Sequence, residues 1–176
     1  MAEAFINQVN RAVGIVTSSS NASIGIGLTW MSGISTAHVA INDLVDNANF
    51  IAGTKVTFVG VSSVQLDRAS TNTVAATASN VSFLGPTTSY SSASATKSIL
   101  IGGTFANNTA NSVNLTVTVY DNTAAVESQL ASKIPVPTGS SFVISDAGKT
   151  VLEGDDELRV YCDVENAIDV NLSILK

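Results

Sequence analysis

Few side chains in this sequence can carry reaction chemistry. His38, in "STAHVAI" with Asp43 close behind it, is the single histidine, and Cys162, in "ELRVYCDV", is the single cysteine. General acid–base or nucleophilic catalysis needs a titrating group held against a second positioned group. The first candidate is His38, a histidine with the Asp43 carboxylate nearby, and its setting reads as a surface or strand-edge imidazole. Cys162 shares its strand face with Leu158 and Val160, so it reads as a small buried hydrophobe. A reactive thiolate needs an exposed, electropositive site, whereas Asp163 follows here and no basic cluster is near. "EGDDE" (153–157) gathers carboxylates as calcium sites do. Its spacing is not that of an EF-hand loop, and "TVL" and "LRVY" on either side make it a solvated turn between strands. Trp30, Tyr90, Tyr120 and Tyr161 are the candidates for stacking against sugar. Aromatics are only 6% of the chain, so core or subunit contact is the expectation for each. "GIGLTW" and "IGGTF" lack the strand–loop–helix setting of a phosphate cradle. Gly102-Gly103 reads instead as a bulge or close backbone approach within a strand. The sequence thus assigns no catalytic, cofactor-binding or metal-ligating residue.

The elements that would position these groups are strands. "SVNLTVTVY" places Val113, Leu115, Val117 and Val119 on one face, and "AIDVNLSIL" does the same with Ile168, Val170, Leu172 and Ile174. Period-two alternation of this length marks half-buried antiparallel strands. "KSILIGGTF", "SKIPVPTGSSFVIS" and "KTVLEGDDEL" add shorter runs, with Pro135 and Pro137 fitting an edge strand or strand end. Thr138-Gly139 and residues 153–156 are turn chemistry. Residues 2–12 read as a strand through Phe5, Val9 and Val13. "TAAVESQLAS" (123–132) is open to a helical turn or two, or to a loop and strand edge. The predicted fold is all-β, an antiparallel sandwich of jelly-roll type with little helix.

Composition narrows the function classes. Charged residues are 12% of the chain and net charge is −6, against about 25% charged residues in ordinary domains. An acidic chain without a Lys/Arg cluster is repelled by phosphates, which argues against nucleic acid as a partner. A surface poor in charge is easier to bury against another subunit, because little charge must be desolvated. One cysteine permits no intrachain disulfide. The N-terminus reads as lacking a signal peptide, and no apolar run reaches the roughly 20 residues of a membrane helix. Synthesis in a cytoplasm without membrane insertion is the expectation.

The stretch "INDLVDNANFIAGTKVTFVGVSSVQLDRAST" (41–71) is a small hairpin unit on its own: 55–59 and 64–66 read as strands around "GVSS". With "ASIGIGLTW" (22–30) and "SNVSFLG" (79–85) it suggests a small β module over 18–92, bounded by the polar loops "TSSSN" (17–21) and "TTSYSSASAT" (87–96). That module would be inserted into a sandwich made of 1–17 and 93–176. "GTKVTFVGVSSVQLDRAST" preceded by "DLV" resembles a β module that recurs in phage structural proteins. The rest, through "AFINQVNRAVG", "TKSILIGGTFANNT", "VNLTVTVYD", "KIPVPTGSSFVIS", "GKTVLEGDDELRVY" and "AIDVNLSIL" in that order, resembles small virion structural proteins of tailed phages, notably those of marine cyanobacteria. The resemblance implies a β-sandwich without enzyme activity, located on the virion. The expectation is a capsid decoration protein or a neck or tail accessory protein. It would need no cofactor and would dock onto itself, as a homo-oligomer, and onto other virion proteins. The alternative is a glycan-binding module for host attachment, which exposed aromatics around Trp30 and Tyr90 would favour. An enzyme would require a deep pocket holding His38 with a carboxylate.

Overall fold

A computed structural model describes residues 4–19, 21–73, 80–145 and 149–176. Ser20 of the expected 17–21 loop and Ser79 of the expected 79–85 strand lie outside the described residues. Every regular element among the described residues is a β-strand, and all pairings are antiparallel. The chain divides into two compact units, residues 1–14 with 87–176, and Ile15–Pro86.

The larger unit is a sandwich. One sheet has the order β1 (Phe5–Val13), β15 (Ile168–Leu175), β9 (Ser98–Asn107), β12 (Ser141–Ile144), with β13 (Thr150–Leu152) also on β9. The other has the order β11 (Val126–Val136), β10 (Val113–Asp121), β14 (Glu157–Cys162), β8 (Thr87–Ser91). The alternating faces read from the sequence meet in one core. Leu115 and Val117 of β10 and Leu158, Val160 and Cys162 of β14 join Leu100 and Phe105 of β9 and Val170, Leu172 and Ile174 of β15. Each fully buried aliphatic side chain contributes about 1.5–3 kcal/mol, so this double row dominates the stability of the unit. Pro135 lies in β11, at the sheet edge, where its missing N–H leaves no ladder bond broken on the free side.

The smaller unit pairs β2 (Ile15–Ser19), β7 (Val81–Gly85) and β4 (Leu44–Asp46) in one three-stranded sheet. A second contains β3 (Trp30–Ser32), β6 (Ser63–Leu66) and β5 (Val56–Val59). A bridge between Leu44 and Lys55 links the two. Met31, Val45, Phe50, Val56, Val64 and Phe83 fill a core of its own.

The division falls at Gly14/Ile15 and Pro86/Thr87, not at 17/18 and 92/93. Hydrogen bonding sets the difference. β2 pairs with β7, which takes residues 15–17 into the smaller unit, and β8 pairs with β14, which takes the start of the expected 87–96 loop into the sandwich. Residues 123–132 form a turn and then the first part of β11, with no helical turn. At the junction, Gly14 has φ +136, and a Cβ there would stand 2.3 Å from the Val164 carbonyl oxygen. Only glycine meets both conditions.

Val117→Asp places an unpaired carboxylate in the sandwich core and is expected to cost about 4 kcal/mol or more, enough to unfold the larger unit in chemical denaturation monitored by circular dichroism. Replacing Ile15–Pro86 with a short turn is expected to leave that unit folded. A random-coil spectrum of the shortened chain would show that the sandwich depends on the smaller unit.

Candidate functional site

His38 sits on an exposed turn with φ 65, where its backbone carbonyl accepts a hydrogen bond from Thr17 Oγ1 at 3.2 Å. Asp43 is buried, and its Oδ2 accepts from the Ala40 N–H at 2.9 Å, closing a local turn. Among the described residues no hydrogen bond or ion pair joins the two. Burial pushes the Asp43 carboxyl above its ordinary value of 3.8, and the Ala40 N–H offsets part of that rise. Cys162 is fully buried in the sandwich core, and burial lifts its thiol to about 11. It is therefore a neutral packing group at neutral pH.

The carboxylates of 153–157 disperse. Glu153 pairs with Lys97 at 2.8 Å. Asp156 accepts from the backbone N–H groups of Glu153 and Asn122, at 2.9 and 3.1 Å, and so builds the turn. Glu157 binds Arg159 at 2.7 Å and accepts from Thr88 at 3.1 Å. Among the described residues no three potential metal ligands converge. A groove of about 510 Å³ runs past Val119, Val126, Leu130 and Val151 and is also lined by Asp121, Glu153 and Asp156. No histidine or cysteine enters it.

The aromatics separate into three settings. Tyr90 faces the sandwich core and shares a buried hydroxyl chain, Tyr90–Ser98–Ser92, at 2.8 and 3.0 Å. Tyr161 and Tyr120 lie on the other face of the β10–β14 sheet. There Tyr161 is fully buried and donates to Glu127 Oε1 at 2.8 Å, and Thr118 donates to the same oxygen. Arg159 stacks 3.9 Å from the Tyr120 ring and approaches Glu127 at 3.9 Å. The Glu127 side chain is only 1% exposed, and a carboxylate so placed needs these partners. Burial, then the Glu127 charge, holds the Tyr161 hydroxyl well above the usual tyrosine range, so it remains a donor. Burial alone would lower Arg159, but Glu157 and Glu127 outweigh it and raise it.

Two surfaces remain. On the outward face of the five-stranded sheet, direct pairing aligns Phe5, Leu175, Ile99 and Val151 in one row across four strands. Val9, Asn171, Thr104 and Val143 form a parallel row, and Asn7, Ser173 and Gly102 lie between. No charged residue stands in any of the three rows. Phe5 is 76% and Val151 51% exposed. In the smaller unit, Trp30, Gln65 and Phe58 align across β3, β6 and β5, with both rings about half exposed.

Sequence reasoning singles out Trp30, and Tyr120 and Tyr161 of the Glu127 cluster, but not Phe58, Gln65 or Glu127 itself. By strict alternation Phe58 shares a face with Val56 and belongs in the core. A register shift between Val56 and Phe58 turns it outward.

No protein-family model matches the chain, and no curated protein matches it. A solved structure of isomalto-dextranase from Arthrobacter globiformis T6, complexed with panose, is 11% identical over 98% of this chain and 34% of that one, with a TM-score of 0.22. The chain spans about a third of that enzyme's length (34%), and a likeness at this level carries no argument about fold or activity.

The buried Asp43 yields a pH dependence of defined sign. Its raised folded-state value means that, between 3.8 and that value, the folded chain keeps a proton the unfolded chain has released. Stability therefore falls as pH rises through the window and is level above it. In thermal melts across pH 3–8, the stability of the native chain minus that of Asp43→Asn is expected to decline across the window and then flatten. A difference that grows with pH would contradict the burial effect.

Proposed function

We propose that this chain is a non-enzymatic structural protein of a phage particle, a capsid decoration protein or a neck or tail accessory protein, that acts by docking onto copies of itself and onto neighbouring virion proteins. The phage setting rests on the ordered motifs that resemble small virion proteins. The docking rests on one observation, the three adjacent uncharged rows on the outward face of the five-stranded sheet, with the Phe5–Leu175–Ile99–Val151 row among them.

A strand spacing near 4.8 Å and two residues between rows make this patch roughly 14 Å by 14 Å. That is the apolar centre of an interface, smaller than the roughly 800 Å² per partner of a stable complex. Desolvating it costs little because it holds no charge. Repetition on a symmetric particle multiplies contacts that are weak singly. The cluster around Glu127 is read as structural: its carboxylate is committed to Tyr161, Thr118 and Arg159.

The purified chain is expected to run as an oligomer in size-exclusion chromatography with light scattering. The double variant Phe5→Asp/Val151→Asp is expected to run as a monomer with an unchanged circular dichroism spectrum. Antibody labelling of intact particles is expected to place the chain at a discrete position on the virion. A monomeric native chain, or particles that carry no label, would overturn the reading.

A further inference from the structure

Trp30 and Phe58 are two of the three aromatic rings among the exposed large hydrophobic side chains, the other being Phe5 on the larger unit. They stand together. Trp30 pairs with Gln65 and Gln65 with Phe58, so the two rings flank one amide on the outward face of the sheet. Strands two places apart in a sheet are about 10 Å from each other, yet the ring centroids are 5.7 Å apart with planes at 60°. The rings therefore lean toward each other over β6, and each leaves a face or edge to solvent, with Trp30 51% and Phe58 48% exposed.

Between them in the row, Gln65 is half-buried and its amide has no hydrogen-bond partner among the described residues. Its backbone carbonyl, in contrast, accepts from Thr57 Oγ1 at 3.1 Å. A half-buried primary amide with no protein partner offers an acceptor and two donors to an incoming ligand. The neighbouring pair in the same sheet is Ser32 with Ser63, two more hydroxyl groups, and neither this row nor the Trp30–Gln65–Phe58 row contains a charged residue.

We infer that the Trp30–Gln65–Phe58 row binds a neutral hexopyranose unit of a polysaccharide. A pyranose ring presents an apolar face of C–H groups, which an aromatic face accommodates, and a rim of hydroxyls, which an amide serves as both donor and acceptor. An apolar protein partner would leave that amide and the flanking serines unmatched. An anionic or cationic ligand would find no counter-charge in the row. The site is on the smaller unit and the proposed docking face on the larger one, so either reading can fail without the other.

Trp30 is the only tryptophan in the chain, so intrinsic fluorescence of the full-length protein reports on this row alone. The probes are the methyl glycosides of glucose, galactose and mannose and their β-linked trisaccharides. At least one is expected to change the emission saturably with Kd on the order of 1 mM, and saturation-transfer NMR is expected to show its ring C–H protons nearest the protein. Phe58→Ala and Gln65→Ala are each expected to weaken binding at least about tenfold. Gln65→Ala keeps both rings and serves if Phe58→Ala fails to fold. No saturable response to any probe up to about 50 mM, or binding as tight as the native chain's in both variants, would overturn the inference. So would an emission spectrum that changes on simple dilution of the protein, because a second copy would then be covering the rings.

Discussion

The larger unit is organised by one requirement, that the inner faces of β10 and β14 be buried against the inner faces of β9 and β15. Val117 and Val160 are directly paired on one sheet, and Phe105 and Val170 on the other, with none of the four more than 1% exposed. Once these rows meet, the opposite faces of the same strands are fixed as the outward surfaces, because side chains alternate along a strand. The candidate docking face is thus a consequence of core packing. Ile99 points outward because Leu100 points inward, and Leu175 because Ile174 does.

The two outward faces of the sandwich differ in chemistry. The β10–β14 face is occupied by its own polar cluster, in which Tyr161, Thr118 and Arg159 surround the Glu127 carboxylate. Removing one member leaves the others desolvated and unmatched, which is why such clusters hold their geometry tightly. The β1–β15–β9 face has no comparable cluster in its three central rows. Serine, asparagine and threonine alternate there with aliphatic groups, so the face is soluble yet inexpensive to desolvate.

Much of the larger unit is legible in the sequence because the core-facing apolar residues of β10, β14 and β15 recur at period two, even though Thr116, Thr118 and Tyr161 on the opposite face are buried as well. Cys162 could be assigned to the core from Leu158 and Val160 alone. Legibility failed where register shifts. Phe5, Val9 and Val13 lie at even spacings and so share a face on paper. In the structure a shift between Asn10 and Val13 puts Val13 in the core and leaves Phe5 and Val9 in solvent. Phe58 leaves the core side of β5 for the same reason. Tyr90, for which core or subunit contact is the expectation, is turned inward onto Ser98 by the pairing of β8 with β14, so it is not the exposed ring that a glycan site would use.

Local pattern by itself determined that this chain makes antiparallel strands, that two alternating runs in its later half build a core, and that turns at 138–139 and 153–156 separate them. These depend on neighbours along the chain, and a side chain's preference for a pleated surface is already present in its own segment. Tertiary structure alone decided which aromatics face water, where the smaller unit begins and ends, and which carboxylate is buried. Each of those depends on the partner strand: one extra residue opposite a bulge reverses every side chain beyond it, and no run of residues read alone records what it will be paired against.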